Sequence, residues 1–340
     1  MLLKPNSVSN FGVIPNILNI FICAKTMDNI PTSEFDEVLE FIAQRSQYLN
    51  FKHIEQLYCS YHLPPITTPF SAEILFPVKR ALQENMGLSV IRIGDGEANL
   101  LTFGAYPATP HLNNYVVKKI ISMQQDSFEV SEDWNVILRD LMMGAVAQAD
   151  IVGVLGFWRS PPYPTIESIL QQFYQDPRGM SGQWRAIDYM LHLAREGMLQ
   201  NKLITSAHLY FSVLEHMDDL IPLAKKVLII SDKATVVQKL QRKYPTSDFD
   251  YIAVGTTTEE LRCSATPIFL SQVFSSLPLG MNGYLCFVGA GPWAEIYCTW
   301  IKQRGGVGID LGSGFDLLEG IVTRPVHRKV GVEKVSRYKL

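Results

Sequence analysis

Two carboxylates stand close together in the segment VIRIGDGEANLL, residues 90–101. Asp95 and Glu97 are separated by one glycine and follow directly after a run of apolar residues. Carboxylate oxygens are hard ligands, and a pair at this spacing can hold Mg²⁺ or Mn²⁺ while phosphate oxygens of a substrate complete the coordination shell. The pattern therefore indicates a metal site at the end of a strand.

The residues around this pair suit the same chemistry. Gly94 and Gly96 allow the backbone to approach a ligand closely, and Arg92 can bind a phosphate or pair with a carboxylate. The alternative is a polar turn between strand and helix, in which one of the two acids caps a helix that starts near Ala98.

A second glycine pattern lies near the C-terminus. Gly289-x-Gly291-x-x-Ala294 follows an apolar run and opens a helix, and Asp310 ends the next strand. This is formally the dinucleotide fingerprint, in which glycines approach a pyrophosphate and an acid binds ribose hydroxyls. A dinucleotide-binding domain carries it on the first strand, however, and here only one strand follows. A local nucleotide site and a helix-packing turn both stay open.

The segment GIDLGSGFD, residues 308–316, permits a third interpretation. Asp310-x-Gly312-x-Gly314 is similar to the first motif of S-adenosylmethionine methyltransferases. That motif opens the methyltransferase fold, so this interpretation requires a circularly permuted strand order.

Three further polar side chains follow predicted strands. His208 can be a base or a phosphate contact, and Asp232 is either a helix cap or a base for an acceptor hydroxyl. Arg159 can clamp a phosphate, with Trp158 stacking on a base or sugar. The structural alternatives are a hydrogen-bonded histidine at a helix start, a surface arginine and a buried tryptophan.

Short apolar runs alternate with amphipathic stretches after residue 71. The predicted strands are 88–93, 150–156, 202–207, 226–231, 250–254, 283–288 and 306–311. The predicted helices are 72–86, 113–125, 134–148, 165–175, 183–196, 209–219, 234–243, 267–276 and 292–304. Apolar strands separated by helices predict an α/β fold with a mainly parallel, doubly wound, Rossmann-like sheet. Ligands bind beyond the carboxyl ends of such strands, and the candidate residues lie at or just before these ends or directly after them.

The chain divides into three parts. Residues 1–70 combine a helical pattern after Pro31 with the Pro- and Thr-rich stretch HLPPITTPF, and predict an N-terminal helical extension and linker. Residues 71–325 form the Rossmann-like domain, and residues 326–340 are a basic C-terminal tail.

The 340 residues are 47% hydrophobic and carry a formal net charge of −3. This is a globular composition, and it gives no basic surface for nucleic acid. The five cysteines lack a C-x-x-C spacing, so the sequence predicts a reduced, cytoplasmic protein. The apolar residues 11–24 are too short to span a bilayer. We expect no transmembrane segment, while peripheral membrane contact stays open.

Four segments occur along the chain in this order: VIRIGDGEANLL, LITSAHLYFSVLE, VLIISD and VGAGPWAEIYCTWIKQRGGVGIDLG. Together they resemble the bacterial glycosyltransferases of the GT-D fold, over roughly residues 72–320. That family has an Arg-x-Gly-Asp-Gly-Glu segment after an early strand, a middle Ser/Arg segment, and a late Gly-Pro segment leading to an Asp-x-Gly strand end.

The resemblance implies functions for particular residues. Asp95 and Glu97 would bind a divalent cation and the diphosphate of a nucleotide sugar, with Arg92 beside them. Gly289, Gly291, Pro292 and Asp310 would shape the nucleotide pocket. Two positions depart from the family pattern, because His208 stands in the segment that usually carries arginine and Ser313 stands where histidine usually follows the late Asp-x-Gly.

The leading hypothesis is a Mn²⁺- or Mg²⁺-dependent glycosyltransferase that uses a nucleotide-diphosphate sugar, most simply a UDP-sugar, and a glycan or glycoconjugate acceptor. The alternatives are a methyltransferase or NAD-type enzyme built on residues 289–314, and a non-catalytic homologue that binds nucleotide sugars.

Overall fold

The computed structural model describes residues 36–37, 40, 51–63, 68–104, 132–155, 165, 168, 171–172, 177–254 and 267–340. The helix predicted over 113–125 and most of the helix predicted over 165–175 lie outside these residues. Trp158 and Arg159 lie outside them as well, so the proposed phosphate clamp stays a prediction.

Seven strands in the described part of the chain form one parallel sheet in the order β3-β2-β1-β7-β6-β4-β5. The strands are β1 Leu88–Ile93, β2 Ile151–Val154, β3 Leu203–Ser206, β4 Lys226–Ser231, β5 Phe249–Ala253, β6 Tyr284–Gly289 and β7 Val307–Asp310. Each of them was predicted, with bounds that differ by no more than two residues. The predicted α/β fold with a doubly wound parallel sheet is therefore confirmed.

Helices cover both faces of this sheet. The α-helices are α1 Phe51–Ser60, α2 Leu75–Gln83, α3 Asp95–Leu101, α4 Glu132–Gln148, α5 Pro177–Arg195, α6 Tyr210–Glu215, α7 Met217–Leu220, α8 Ala234–Lys243, α9 Pro267–Ser276, α10 Ala294–Gln303, α11 Gly314–Glu319, α12 Pro325–Val330 and α13 Val332–Ser336. Short 3₁₀ helices at Ala72–Ile74, Ile221–Leu223 and Gly291–Trp293 join some of them.

The apolar runs form strands because both faces of the sheet are buried. Along β1, Val90 belongs to one core cluster and Ile91 to the other, as the alternation of side chains in a strand requires. Helices α1, α3, α4, α5, α9 and α10 supply the first cluster, which contains Ile91. Helices α2, α6, α7, α8, α11, α12 and α13 supply the second cluster, which contains Val90. The core therefore lies in two layers, one on each side of the sheet.

The strand order brings the two ends of the domain together. β7 is the last strand in the chain, yet it lies between β1 and β6, with Val90 opposite Ile309 and Val288 opposite Asp310. Because the strands are parallel, the residues that follow β1, β6 and β7 meet at one edge of the sheet. The early acidic segment and the late glycine segment are thus neighbours in space.

The two flanking segments pack onto the sheet layers. Helix α1 inserts Ile54 and Tyr58 into the core, and the Tyr58 hydroxyl donates a hydrogen bond to Leu155 O (3.2 Å). Residues 326–340, interpreted from the sequence as a basic tail, form two helices, because Val326 and Val335 supply apolar side chains to the second core cluster.

Among the described residues, no helix has the length and apolar character needed to cross a bilayer.

Candidate functional site

Asp95 and Glu97 lie in the first turn of α3, directly after β1. The helix begins at Asp95, earlier than the predicted start near Ala98. The Asp95 side chain is exposed, whereas Glu97 is half-buried and its Oε2 accepts a hydrogen bond from Gly94 N–H (3.0 Å). This contact is half of a capping box, since Gly94 has no side chain to complete it. One acid thus caps the helix and the other faces the solvent.

Close packing explains why position 94 is a glycine. A Cβ built on Gly94 would lie 2.7 Å from Glu97 Oε2, so a side chain there would displace the carboxylate. Burial raises the pKa of Glu97 above its ordinary value, and the charge of Arg92 opposes that shift. Gly96 lies between the two acids in the same turn.

Arg92 is held by Asp310 at the end of the neighbouring strand. Arg92 Nε donates to Asp310 Oδ2 (2.8 Å) and Nη2 donates to Oδ1 (3.0 Å), while Nη1 donates to Ala207 O (3.2 Å). Although burial acts to lower the pKa of Arg92, the charge and hydrogen bonds of Asp310 raise it above its ordinary value. Arg92 is therefore a fixed positive charge, and Asp310 accepts from it with both carboxylate oxygens instead of facing a ribose.

The late glycines make room for neighbouring side chains. Gly312 has a φ of +43°, and a Cβ on it would lie 1.9 Å from Arg92 Nη2. At Gly289 a Cβ would lie 2.4 Å from the ring of Phe315. Gly291 has a φ of +55° and begins the 3₁₀ turn before α10. Two of these glycines thus serve side-chain packing at the site, and Gly291 serves the turn.

Glu295 is a carboxyl group that the sequence interpretation missed. It lies in the first turn of α10 and is fully buried. Within the described part of the chain, neither of its oxygens has a hydrogen-bond partner. Burial raises its pKa well above the ordinary value, and the charges of Asp310 and Glu97 act in the same direction. Glu295 is thus protonated more readily than an ordinary glutamate. The signal available in the sequence is an acid one turn after the late glycines.

His208 follows β3 and lies next to Tyr210. The Tyr210 hydroxyl is 3.4 Å from His208 Nδ1 and 3.0 Å from His327 Nε2, and Arg92 Cζ lies 5.4 Å from the centroid of the Tyr210 ring. Burial lowers the pKa of His208 to about 3, and the nearby Arg92 charge adds to the effect. The His208 ring is therefore neutral near pH 7 and is a weak base.

Asp232 follows β4 and belongs to a different group of charges. Burial raises its pKa above the ordinary value, while the opposing charge of Lys233 lies 3.6 Å away. Lys233 also reaches Glu319 (3.4 Å) and Asp316 (3.9 Å) in α11. Asp232 is half-buried, so among the predicted bases it combines partial access with a raised pKa.

Buried hydrogen bonds of Asn99 link the first turn of α3 to α5. Asn99 Nδ2 donates to Asp95 O (2.6 Å) and to Gly182 O (3.1 Å) of α5, and the buried Arg185 donates to Asn99 Oδ1. These bonds hold the backbone of Asp95 against α5. No pattern in the sequence indicates this contact, because Asn99 and Arg185 are 86 residues apart.

The structure thus brings most of the predicted site residues to one edge. Arg92, Glu97 and Asp310 interact directly or through their charges, Asp95 lies beside them, and His208 is linked to Arg92. Asp232 lies in the separate charge group around Lys233. Glu295, Tyr210 and His327 join the site as residues whose contacts the sequence did not reveal.

Asp95 and Glu97 could bind a hard cation only together with ligands from outside the protein. In the part of the chain that the structure describes, no three His, Cys, Asp or Glu side chains are grouped to hold a metal ion. Asp95 and Glu97 are therefore a two-carboxylate set. Mg²⁺ and Mn²⁺ bind such sets when substrate phosphates and water supply the other ligands.

The comparisons with known proteins agree with this architecture. A family model described as a GT-D fold-like domain matches residues 70–318, which is most of the chain. The chain belongs to the GT-D-like family. Comparisons with curated proteins and with solved structures gave no match. The GT-D-like domain contains Arg92, Asp95, Glu97 and Asp310, whereas His327 lies beyond its last matched residue.

Proposed function

We propose that this protein is a metal-dependent glycosyltransferase. It would move a sugar from a nucleotide-diphosphate donor, most simply a UDP-sugar, to a glycan or glycoconjugate acceptor. The observation that carries the proposal is the GT-D-like match over residues 70–318, within which Asp95 and Glu97 lie at the carboxyl end of β1.

In this proposal Asp95 and Glu97 would hold Mn²⁺ or Mg²⁺. The bound cation would neutralise the negative charge that develops on the leaving diphosphate. Asp95 is exposed and so accessible to a cation. Asn99 holds the Asp95 backbone, and Gly94 N–H orients the Glu97 carboxylate.

Arg92 would act as a fixed charge behind this pair. Its guanidinium is bound to Asp310 and stacked over Tyr210, so it contributes to the local potential without leaving its place. An inverting reaction also needs a base for the acceptor hydroxyl, whereas a retaining route does not. Asp232 suits that role better than His208, since a base with a pKa of about 3 removes a proton poorly near neutral pH.

The methyltransferase and NAD-type alternatives lose support from the same geometry. Asp310, the acid that would bind a ribose in a dinucleotide site and that begins the methyltransferase-like motif, accepts from Arg92 with both oxygens. The Arg92 guanidinium occupies the space that a side chain at Gly312 would need. The late motif thus has a structural use that involves no cofactor.

A non-catalytic nucleotide-sugar-binding homologue is the second candidate. It is favoured by His208, which stands in the segment where the related glycosyltransferases usually carry arginine and is a neutral, weak base. It predicts UDP binding without sugar transfer or hydrolysis.

A thermal-shift screen of nucleotide sugars with and without Mn²⁺ tests the proposal, because a ligand that binds only the folded state raises the Tm. We expect UDP-sugars to raise the Tm only when Mn²⁺ is present. A Tm raised by S-adenosylmethionine or NAD without metal would contradict the proposal. Release of UDP from the sugar that gives the largest shift then separates the enzyme from the non-catalytic homologue.

A further inference from the structure

Lys233 lies among three carboxylates at the carboxyl edge of the sheet. Its Nζ is 3.6 Å from Oδ2 of Asp232, which precedes it in the turn after β4. The same Nζ is 3.4 Å from Glu319 Oε2 and 3.9 Å from Asp316 Oδ1, both in α11. Although burial acts to lower the pKa of Lys233, the three carboxylates raise it above its ordinary value. Lys233 is therefore charged, and it links the turn after β4 to α11.

The two carboxylates of α11 each have a second partner. Thr235 Oγ1 donates a hydrogen bond to Glu319 Oε1 (2.6 Å), and Thr323 Oγ1 donates one to Asp316 Oδ2 (2.7 Å). In each carboxylate the other oxygen is the one near Lys233. The threonines thus orient both carboxylates toward the lysine.

The backbone around Lys233 is also bound. Lys233 N–H donates to Oγ of the buried Ser231 (3.1 Å), and the hydroxyl of Tyr251 in β5 donates to Ser231 O (2.9 Å). The turn that carries Asp232 is therefore tied to β5 through Ser231 and to α11 through Lys233.

Asp232 is the most exposed carboxylate of this group. Its side chain is 36% exposed, against 23% for Asp316 and 19% for Glu319. Burial raises its pKa, the Lys233 charge opposes that shift, and the charges of Asp316 and Tyr251 also interact with it. Asp232 is thus the carboxylate of the group that a substrate hydroxyl can reach.

The strand order separates Asp232 from the proposed metal ligands. Strands β7 and β6 lie between β1 and β4, and three strand spacings place the residues that follow β4 about 14 Å from those that follow β1. Both groups lie at the carboxyl edge, where ligands of such sheets bind. This gap leaves room for the sugar of a donor between a diphosphate at Asp95 and Glu97 and an acceptor at Asp232.

We infer that Lys233 is the positioning residue for Asp232, the base that takes the proton of the acceptor hydroxyl. The inference rests on the proposed function and deepens it, because it commits the transfer to an inverting route. The acceptor oxygen bonds to the anomeric carbon while the bond from that carbon to the leaving UDP breaks, and the hydroxyl proton passes to Asp232. The Lys233 charge favours the ionised carboxylate that accepts this proton.

The pH dependence of UDP release tests this role. Release is measured with Mn²⁺ and the UDP-sugar that gives the largest Tm shift, with water in place of the acceptor. Lys233→Met removes the charge and raises the pKa of Asp232, so the acid limb of the kcat profile should move to higher pH. We expect kcat to fall about tenfold or more with the KM for the UDP-sugar unchanged, and Lys233→Arg to restore the wild-type profile. Asp232→Asn should lower kcat about 100-fold or more.

Lys226→Met is the matched control. Lys226 lies at the opposite end of β4, is 23% exposed where Lys233 is 26% exposed, and also pairs with carboxylates, Asp248 (3.2 Å) and Asp250 (2.9 Å). We expect this variant to keep the kcat and pH profile of the wild type. The Tm of each variant checks its fold. If Lys233→Met is unfolded, Glu319→Gln removes one charge that binds Lys233, and its kcat should fall while its KM stays unchanged.

Two results would overturn the inference and leave the proposed function standing. One is a folded Lys233→Met variant with the wild-type profile, or with a change that Lys226→Met shares. The other is a released sugar that retains the anomeric configuration of the donor, as read by ¹H NMR of the first product.

A ¹³C NMR titration of the Asp232 carboxyl carbon reads the contact with Lys233 without turnover. We expect a higher midpoint in Lys233→Met than in the wild type. A wild type that releases no UDP from any UDP-sugar would contradict the proposed function and the base role together, and a raised midpoint would then leave only the contact between Lys233 and Asp232 in place.

Discussion

Arg92 and Asp310 join the ends of two neighbouring strands through a two-point ion pair. The residues are 218 positions apart in the chain, yet both hydrogen bonds are short, at 2.8 and 3.0 Å. The Arg92 and Asp310 side chains are only 16% and 1% exposed. The pair links β1, which leads into the acidic turn of Asp95 and Glu97, to β7 at the centre of the sheet. It therefore fixes the position of the proposed metal ligands relative to the late glycine segment.

Breaking this pair should be costly. Removing one member leaves the other charge buried without its partner, which typically destabilises a protein by about 3–5 kcal/mol. We expect Arg92→Met and Asp310→Asn each to lower the free energy of unfolding by this amount in urea titrations. The exposed pair Arg80–Glu84 is the control, because surface ion pairs contribute about 0–1 kcal/mol. A cost for Arg92→Met no larger than that for Arg80→Met would contradict the structural role of the pair.

Gly312→Ala should disturb the Arg92–Asp310 pair by a steric clash with the Arg92 guanidinium. The new methyl group would occupy the place of the Arg92 guanidinium, in a backbone conformation with positive φ that disfavours side chains. We expect a loss of about 2 kcal/mol or more in the free energy of unfolding.

Gly144→Ala is the matched control for this substitution. Gly144 lies inside α4 with open space around the added methyl group, so alanine should stabilise the helix by up to about 1 kcal/mol. Similar urea midpoints for the two variants would show that Gly312 has no special packing role.

Glu295 should make stability fall as the pH rises above the ordinary pKa of a glutamate. Its pKa is higher in the folded state than in the unfolded state, because burial disfavours its charged form. The unfolded state therefore loses its proton first as the pH rises, and the contribution of Glu295 to stability falls from just above its ordinary pKa up to its folded pKa. Over that range the free energy of unfolding falls by about 1.4 kcal/mol for each pH unit.

The glutamine variant Glu295→Gln cannot lose a proton at this position. We expect its free energy of unfolding to fall less than that of the wild type as the pH is raised above the ordinary pKa of a glutamate, as measured by urea titrations at several pH values. Parallel pH profiles for the two proteins would show that Glu295 titrates like an exposed glutamate.

His208 should stay neutral through the whole physiological range. Its folded pKa is about 3, below the ordinary value, so its contribution to stability is present above about pH 6.5 and is lost as the pH falls toward 3. The imidazole NMR signal of His208 can be assigned as the one that is lost in a His208→Gln variant. In the wild type we expect this signal to show no titration between about pH 5 and pH 8. A His208 titration midpoint between about pH 5 and pH 8 would contradict the burial of its ring.

The sheet could be predicted because each strand is a short, almost continuous apolar run. Residues 88–93 and 226–231 were predicted with the bounds that the structure has, since both faces of a parallel sheet are buried and the apolar pattern leaves little ambiguity. The position of Asp95 and Glu97 at the carboxyl edge of the sheet followed from the same reasoning. Only the exact helix start differed, because the acidic residues themselves form its first turn.

The contacts of the site could not be predicted from local patterns. The Arg92–Asp310 pair depends on β7 being inserted between β1 and β6, which no local pattern specifies. Glu295 looks like the polar face of an amphipathic helix until the packing of that helix is known. The C-terminal helices were interpreted as a tail because their charges are conspicuous, although the apolar residues Val326, Val335 and Tyr338 anchor them.

The most direct test of the proposed function is UDP release by an Asp95→Ala variant. The assay measures UDP released from a UDP-sugar with Mn²⁺ supplied, for the wild type, for Asp95→Ala and for Glu84→Ala. Glu84 is the control because it is an exposed carboxylate that precedes β1, at the opposite end of that strand from Asp95. Since the Asp95 side chain is exposed, the Tm of its variant should match that of the wild type. We predict that the wild type and Glu84→Ala release UDP and that Asp95→Ala, fully folded, does not. Unchanged release by folded Asp95→Ala would contradict the metal-dependent mechanism.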